Sequence, residues 1–344
     1  MFSGCFAATG RERHMRRSMV VCGLILGAVG ACQAQIKLSS GASVTFATAD
    51  EGRKILTARD DFIRALGPFD RAARVKTADE VSEKAFLEFV GRSVLDWTEP
   101  EKASVGSALE RLRTPFERLE LPWPKAISFV KTTGREEGGA AYTRGQALIL
   151  PQDMLRPNRP LPPRLVAHEL LHILSRSNPG LRDRLYQVIG FVRCAEVELP
   201  QTLRRRRITN PDAPANDHCI RVQVEGAEVW AVPIIFSRTG QYDVQRGGEF
   251  FSYMQSQLLL VQRQGDPPVT KPLYAGSEPR LVDFDQVSGF YEQVGRNTEY
   301  LIHPEEILAD NFALLVLGDE NAPSPEILQK LQDVLTGKAG EEKR

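Results

Sequence analysis

The sequence has no surplus of either charge, because 44 lysines and arginines are matched by 44 aspartates and glutamates. Proteins that bind nucleic acid usually have an excess of basic residues, so the composition predicts no nucleic-acid partner. The one basic run, residues 204–207, is typical of a solvated loop, with attraction to an anionic polymer or to lipid headgroups as the alternative. Repeats, low-complexity tracts and a dinucleotide-binding fingerprint are also absent.

Long hydrophobic runs are scarce as well. The apolar run at residues 19–31 is too short to span a membrane as a mature helix, and it follows Arg16 and Arg17. This order is typical of a bacterial secretion signal, so we expect residues 1–34 to be a signal peptide, with Met15 as an alternative start. The leader has four arginines and one glutamate, a net of +3, so the mature chain has a net charge of about −3 by the same count.

Cleavage of this leader has two interpretations. Cys32 and Ala34 suit an ordinary signal peptidase that cuts before Gln35. Residues 29–32 also resemble a lipobox, which would place a lipid on Cys32 and is the only predicted route to a membrane. Both interpretations predict a periplasmic or secreted protein.

Cysteine is rare, and most of it lies in the leader. Of the five cysteines, Cys5 and Cys22 leave with the leader, and the folded body keeps Cys194 and Cys219. An even number in an oxidising compartment predicts a disulfide between Cys194 and Cys219. Two buried free thiols are the alternative.

The chain is long enough for one large or two ordinary domains. After a short strand and loop at 35–46, helical periodicity dominates as far as about residue 120. Capping boxes at Thr77 with Glu80 and at Thr98 with Glu101 precede predicted helices at 81–97 and 105–119. The apolar stripes of these helices are typical of packing faces. We therefore predict an N-terminal helical region at 35–120 that carries no chemistry.

The periodicity changes to that of strands between residues 125 and 151. Two extended runs flank a glycine-rich segment at 134–139, which predicts a hairpin and a sheet edge beside the motif described next. Residues 191–261 are again rich in strands, with a turn expected at Glu225 and Gly226. We interpret about 190–285 as a strand-rich insertion.

The chemistry is concentrated in residues 164–176, where His168, Glu169 and His172 form an H-E-x-x-H. Residues four apart on a helix lie about 40° apart around the axis, so the two histidines can share one metal ion. Glu169 lies beside them, where it can take a proton from a water that the metal activates.

The flanks of this motif are apolar, which predicts that the helix is buried. Apart from His168, Glu169 and His172, all residues from 165 to 174 are hydrophobic. Each buried polar side chain left without a partner costs about 1 to 3 kcal/mol, and one metal ion supplies a partner to all three. Two histidines hydrogen-bonded to backbone, with Glu169 in an ion pair, are the alternative.

A zinc ion held by two histidines needs a third protein ligand. Pro304, a following apolar run and Gly318 predict a buried helix with a clear start and stop. Glu306 and Asp310 are four apart on it, so Glu306 can bind the metal while Asp310 accepts a hydrogen bond from a ligand histidine. A capping role for this pair is the alternative. Four further residues are candidate third ligands: Glu305, His303, Glu196 and Glu198.

An H-E-x-x-H with a later E-x-x-x-D resembles the gluzincin branch of the zincin metallopeptidases, the group that includes thermolysin. The resemblance implies that His168, His172 and Glu306 bind zinc. It also implies that Glu169 is the general base and that Asp310 supports a ligand histidine. It covers two helices and, loosely, the preceding sheet edge. Because 133 residues separate His172 from Glu306, more than in common members, the insertion must fold back.

Gluzincins also need a donor for the developing oxyanion, commonly a tyrosine or histidine. His303 and Tyr300 are the nearest in sequence to the third ligand, with ordinary packing as the alternative for both. We interpret His218, next to Cys219, as structural.

Together these features predict an α+β, zincin-like fold in which residues 121–344 form the catalytic domain. The expected activity is zinc-dependent hydrolysis of peptide bonds in peptides, proteins or peptidoglycan cross-links. The rival is a non-catalytic envelope protein that keeps the zinc helix as structure or binds a partner through it. Glu169 favours the enzyme, because a purely structural zinc site does not require it.

Overall fold

The protein combines helices with two larger β-sheets, which confirms the predicted α+β class. The computed structural model describes residues 36–38, 41–119, 121–156, 160–264 and 269–338. The predicted signal peptide, its cleavage site and Cys32 lie outside these residues. Within the described part of the chain, no helix combines the length and the apolar content that crossing a membrane requires.

Helices make up most of the first part of the chain. The predicted capping contact at the start of the helix Glu99–Leu119 is present, since the Thr98 N–H donates to the Glu101 carboxylate at 2.8 Å. The elements are β1 (Ile36–Lys37), β2 (Ser43–Phe46), α1 (Ala49–Leu56), α2 (Asp61–Ala65), α3 (Pro68–Val75), α4 (Glu83–Ser93), β3 (Val94–Leu95) and α5 (Glu99–Leu119).

The predicted start of α4 is wrong. The helix begins at Glu83, and the Ser82 hydroxyl caps it by accepting the Ala85 N–H at 3.2 Å. The Thr77 hydroxyl instead accepts the Asp79 N–H at 3.1 Å. Such a local bond between a side chain and nearby backbone competes with helix formation, so the capping-box pattern at Thr77 marks a turn.

The first sheet corrects the predicted hairpin. It adds β4 (Ala126–Thr132), β5 (Tyr142–Arg144) and β6 (Ala147–Pro151), in the order β1-β2-β4-β6-β5 with β3 also on β4. Because β6 lies parallel to β4, segment 134–139 cannot be a hairpin turn between them. It carries the chain past β6 to the edge strand β5, and the β5–β6 hairpin turns at Gly145, whose φ is 57°.

The N-terminal helical region is not separate from the rest of the chain. Strands β2 and β3 both pair with β4, so the two predicted regions share one sheet. The described residues from 36 onward accordingly belong to one compact unit. The edge strand β5 contacts the motif helix α6 (Pro163–Ser177), which confirms a sheet edge beside the motif.

The second sheet lies within the predicted insertion. The elements after α6 are α7 (Pro179–Val188), β7 (Phe191–Arg193), α8 (Gln201–Arg204), β8 (His218–Val224), β9 (Ala227–Ser237), β10 (Met254–Gln264), β11 (Val269–Pro272), β12 (Tyr274–Ala275), β13 (Glu278–Pro279) and β14 (Leu281–Val282). The strand order of this sheet is β11-β10-β9-β8-β7, with β14 also on β10. The turn predicted between β8 and β9 is confirmed, since Glu225 and Gly226 have φ of 51° and 81°, as a tight hairpin requires.

Three helices complete the fold: α9 (Tyr291–Val294), α10 (Pro304–Leu317) and α11 (Pro325–Leu335). Helix α10 begins and ends as predicted, with Gly318 in the left-handed region at φ 67°. It packs against α6 and α5 in the largest apolar core, where Phe116 of α5 stacks on Phe312 at 6.1 Å between ring centroids. The polar side chains of α6 and α10 therefore meet inside an apolar surrounding.

Candidate metal centre

The structure brings together the three predicted ligands from α6 and α10. Glu306 Oε2 lies 3.0 Å from Nε2 of His168 and 3.6 Å from Nε2 of His172. Ligands about 2.0 to 2.2 Å from a tetrahedral zinc ion are roughly 3.3 to 3.5 Å apart. The observed separations lie on either side of this range, within a few tenths of an ångström, so a small movement of the side chains would admit one shared ion. His168, His172 and Glu306 form a group that can hold a metal ion.

Two atoms at this cluster are buried without a hydrogen-bond partner among the described residues. One is His172 Nε2, which points at the shared position, and the other is Glu169 Oε2. Leaving a buried polar atom unsatisfied costs about 1 to 3 kcal/mol, and native structures seldom retain such atoms without a reason. A metal ion bound by His172 removes the first of these penalties, so the donor set fits zinc.

A cleft of about 360 Å³ leads to the centre from the side of Glu169 and His168. Arg164 and Leu165, from the turn of α6 that precedes the motif, line it together with Asp310. Arg164 is exposed and Leu165 is half-buried, so this side of the centre faces solvent.

Each histidine has its second ring nitrogen held by a carboxylate. His168 Nδ1 lies 3.1 Å from Asp310, the position that the sequence predicts for this residue. His172 Nδ1 lies 3.2 Å from Glu305, whose carboxylate also accepts hydrogen bonds from Ser175 and Tyr186. Such partners fix the tautomer and the orientation of a ligand histidine. Glu305, a candidate third ligand from sequence, thus contacts the far side of His172.

A loop from the insertion completes the centre, and sequence reasoning missed it. In this loop, residues 209–212, Asn210 Nδ2 donates to Glu306 Oε1 at 2.6 Å. Asp212 Oδ1 accepts from the backbone N–H and hydroxyl of Thr143, at 2.7 and 2.6 Å. Asp212 also groups with Glu169 and His172 within 4.8 Å. The only local signal is the turn-forming Asn-Pro-Asp, which carries no indication of a metal.

The pKa values in the cluster are shifted because several buried acids surround two histidines. Burial alone would lower the pKa of His168, but hydrogen bonds to Asp310 and Glu306 raise it to about 11. Burial would also lower the pKa of His172, but the charges of Glu306 and Asp212 outweigh it and raise this pKa to about 9. Burial would raise the pKa of Glu306, but the two histidines lower it to about 2. A divalent cation can therefore replace two bound protons.

Glu169 differs from Glu306 although both are buried. Burial, followed by the charge of Asp212, raises the pKa of Glu169 to about 8. A carboxylate with a raised pKa and an unpaired oxygen can accept a proton, whereas Glu306, with its lowered pKa, is suited to binding a cation.

The two candidate oxyanion donors differ in placement. His303 is engaged on both sides, with Nδ1 accepting the Glu305 N–H and Nε2 donating to the Ala215 carbonyl, each at 3.1 Å. His303 therefore has no ring nitrogen left for a metal or a substrate, which corrects both roles suggested for it. Tyr300 remains partly exposed, and burial together with the nearby charges of Glu306 and Asp212 raises its pKa.

The other candidate ligands lie away from the centre. Glu196 and Glu198 are exposed, and Glu198 pairs with Arg204 at 3.2 Å, so neither is a third ligand. His218 lies 2.7 Å from Asp217 and outside the cluster, in keeping with a structural role. In the basic run 204–207, the first two arginines are exposed and the last two are half-buried.

The two remaining cysteines are neighbours. Cys194 and Cys219 are buried free thiols in the structure, and a hydrogen bond between them is the main cause that lowers the pKa of Cys194, to about 7. Their contact makes a disulfide feasible, and the predicted bond itself stays a prediction.

Comparisons with protein-family models, with curated proteins and with solved structures found no match to this chain.

Proposed function

We propose that the protein is a zinc-dependent metallopeptidase with a zincin-like arrangement, in which His168, His172 and Glu306 bind zinc. The observation that carries the proposal is the unpaired oxygen of Glu169 beside this three-ligand cluster, at a cleft that faces solvent. Structural zinc sites are closed by four protein ligands and need no proton acceptor, whereas catalytic sites have three ligands and an open position.

Zinc, when bound, would polarise the scissile carbonyl and lower the pKa of the attacking water. Glu169 takes the proton from this water as the new C–O bond forms. It then passes the proton to the amine nitrogen as the peptide C–N bond breaks. Tyr300, whose hydroxyl lies near the acids of the centre, is the preferred donor to the developing oxyanion.

The proposed substrates are peptides or proteins, including the peptide cross-links of peptidoglycan, in the periplasm or outside the cell. N-terminal sequencing of protein from a secreting host should find Gln35 first or a lipid on Cys32. An uncleaved product that begins at Met1 would contradict the envelope location. Peptide mapping of the same sample without reductant should join Cys194 to Cys219, and two alkylatable thiols would reject the bond.

The zinc content and the peptidase activity of matched variants test the function. His168→Ala, His172→Ala and Glu306→Ala should each lose zinc, because each removes one of three protein ligands. Glu169→Gln should keep about one zinc per chain and lose hydrolysis of a peptide library by about 10² to 10⁴. The exposed Glu196→Gln is the control and should change neither property.

The same measurements decide between the enzyme and a non-catalytic zinc protein. Stoichiometric zinc in the wild type without any cleavage would favour the non-catalytic protein. Full zinc and activity in Glu306→Ala would place the third ligand elsewhere.

A further inference from the structure

A fully buried ion-pair network lies beneath the loop 209–212. Arg74 of α3 donates through Nη1 to Asp70 at 2.8 Å and through Nε to Glu137 at 2.9 Å. Its guanidinium lies over the rings of Phe250 and Phe62, with 4.3 and 5.5 Å to the ring centroids. Glu137 belongs to the 3₁₀ turn Arg135–Glu137 of the glycine-rich segment. We name Asp70, Arg74 and Glu137 the Arg74 network.

The Arg74 network holds every polar group of Thr209. Asp70 accepts the Thr209 N–H through Oδ1 and the Thr209 hydroxyl through Oδ2, both at 2.8 Å. Arg74 Nη2 donates to the Thr209 carbonyl at 3.0 Å. Thr209 is itself buried, so these contacts are shielded from water. The start of the loop is thus fixed by three bonds to one network.

The next residue of the loop contacts a proposed metal ligand. Asn210 Nδ2 donates to Glu306 Oε1 at 2.6 Å, and Asn210 Oδ1 accepts the Asp212 N–H at 3.0 Å. Glu306 Oε1 is therefore engaged, and Oε2 is the oxygen that faces His168 and His172. The bond to Asn210 thus leaves Oε2 as the Glu306 oxygen that is free to face the two histidines.

The expected contribution of the Arg74 network to the free energy of folding points to a positional role. Replacing a buried ion pair by well-packed apolar residues is often neutral or stabilising, so burial of Asp70, Arg74 and Glu137 is not explained by stability alone. The bonds of Asp70 and Arg74 to Thr209 set the position of Asn210, and Glu137 holds Arg74 in place. Apolar side chains cannot perform this function.

We infer that Thr209 is a positioning residue of the metal centre. The Arg74 network fixes Thr209, Thr209 keeps the neighbouring Asn210 in contact with Glu306, and this contact sets the affinity for the metal. This inference rests on the proposed zinc site. It extends the centre to helix α3 of the N-terminal region, for which the sequence predicts no chemistry.

Thr209→Val and Thr209→Ser test this inference as a matched pair. Valine keeps the size but removes the hydroxyl donor to Asp70, whereas serine keeps the donor. We expect Thr209→Val to bind zinc about 10-fold more weakly in chelator competition, within the range for residues that support a ligand, and Thr209→Ser to restore the affinity. The visible absorption of the cobalt-loaded protein should shift in Thr209→Val and in Asn210→Ala, because the coordination geometry changes.

A stability control separates positioning from folding. Leu331→Ala, in the core contact of α11, should lower the melting temperature and leave zinc affinity and the cobalt spectrum unchanged. If Thr209→Val only lowers the melting temperature, the Arg74 network merely docks α3 and the inference is overturned. If the wild type binds neither zinc nor cobalt, the proposed function fails and this inference fails with it.

Discussion

The proposed metal centre and the Arg74 network are two clusters of buried charge that differ in how completely their hydrogen bonds are satisfied. In the Arg74 network, the three guanidinium nitrogens of Arg74 each donate a hydrogen bond, and both oxygens of Asp70 and of Glu137 accept one. In the metal centre, His172 Nε2 and Glu169 Oε2 are buried with no hydrogen-bond partner among the described residues.

Buried polar clusters of these two kinds have different physical explanations. A cluster whose groups satisfy one another is complete without a ligand. Atoms left unsatisfied in a buried cluster would cost about 1 to 3 kcal/mol each, so such a cluster is a candidate for binding an ion, a ligand or an ordered water. The Arg74 network belongs to the first kind and the metal centre to the second.

Removing Arg74 should have the largest effect on stability. Arg74→Met leaves Asp70 and Glu137 buried without their cation, so the free energy of unfolding should fall by about 3 to 5 kcal/mol in urea denaturation. The control is Arg59→Met, since Arg59 pairs with Glu83 on the surface and should matter by less than about 1 kcal/mol. Equal losses in the two variants would show that the Arg74 network has no special weight.

The carboxylates behind the two histidines should have an intermediate effect. Asp310→Asn and Glu305→Gln each remove the charge that orients a ligand ring, and each should weaken zinc binding by about 10- to 100-fold. Chelator competition measures the affinity, with the exposed Glu326→Gln of α11 as the control. If only Asp310→Asn has an effect, the two histidines are not supported alike, and Glu305 serves packing alone.

The remaining comparison concerns the change of thermal stability with pH. The pKa of His172 is raised to about 9 and that of His168 to about 11, above their unfolded value near 6.5. Their stabilisation of the metal-free protein is fully present below pH 6.5 and is lost as the pH rises through 9 and 11. Zinc competes with these same protons, so it should bind more tightly over that range.

Scanning calorimetry at pH 6.5, 7.5 and 9 can test whether protons and zinc compete for the two histidines. The gap between the melting temperatures of the zinc-loaded and metal-free forms should widen with pH, by a few degrees for each kcal/mol. The Arg74 network contributes to both forms and cancels in the gap. A gap that stays constant would mean that the histidines do not exchange protons for the metal.

The structural predictions succeeded where the interactions that determine the structure lie between residues close in the chain. The apolar flanks of the H-E-x-x-H, the proline and glycine that bound α10, and the Glu225-Gly226 turn each depend on residues close in the chain. The box at Thr77 failed for an equally local reason, since its hydroxyl bonds Asp79 within a turn. The hairpin predicted at 134–139 failed because a parallel strand, set by long-range pairing, lies beside β4.

That two histidines and a glutamate share one helix, and that Glu306 and Asp310 share a face of another, follows from the spacing of these residues in the chain. The contact of Glu306 with His168 across 138 positions, and that of Asn210 with Glu306 across 96, depends instead on tertiary packing. Helical spacing is a property of the backbone, so sequence alone can express it. Contacts between distant segments depend on how whole elements pack. The turn residues of loop 209–212 show no sequence pattern that predicts their position in the fold.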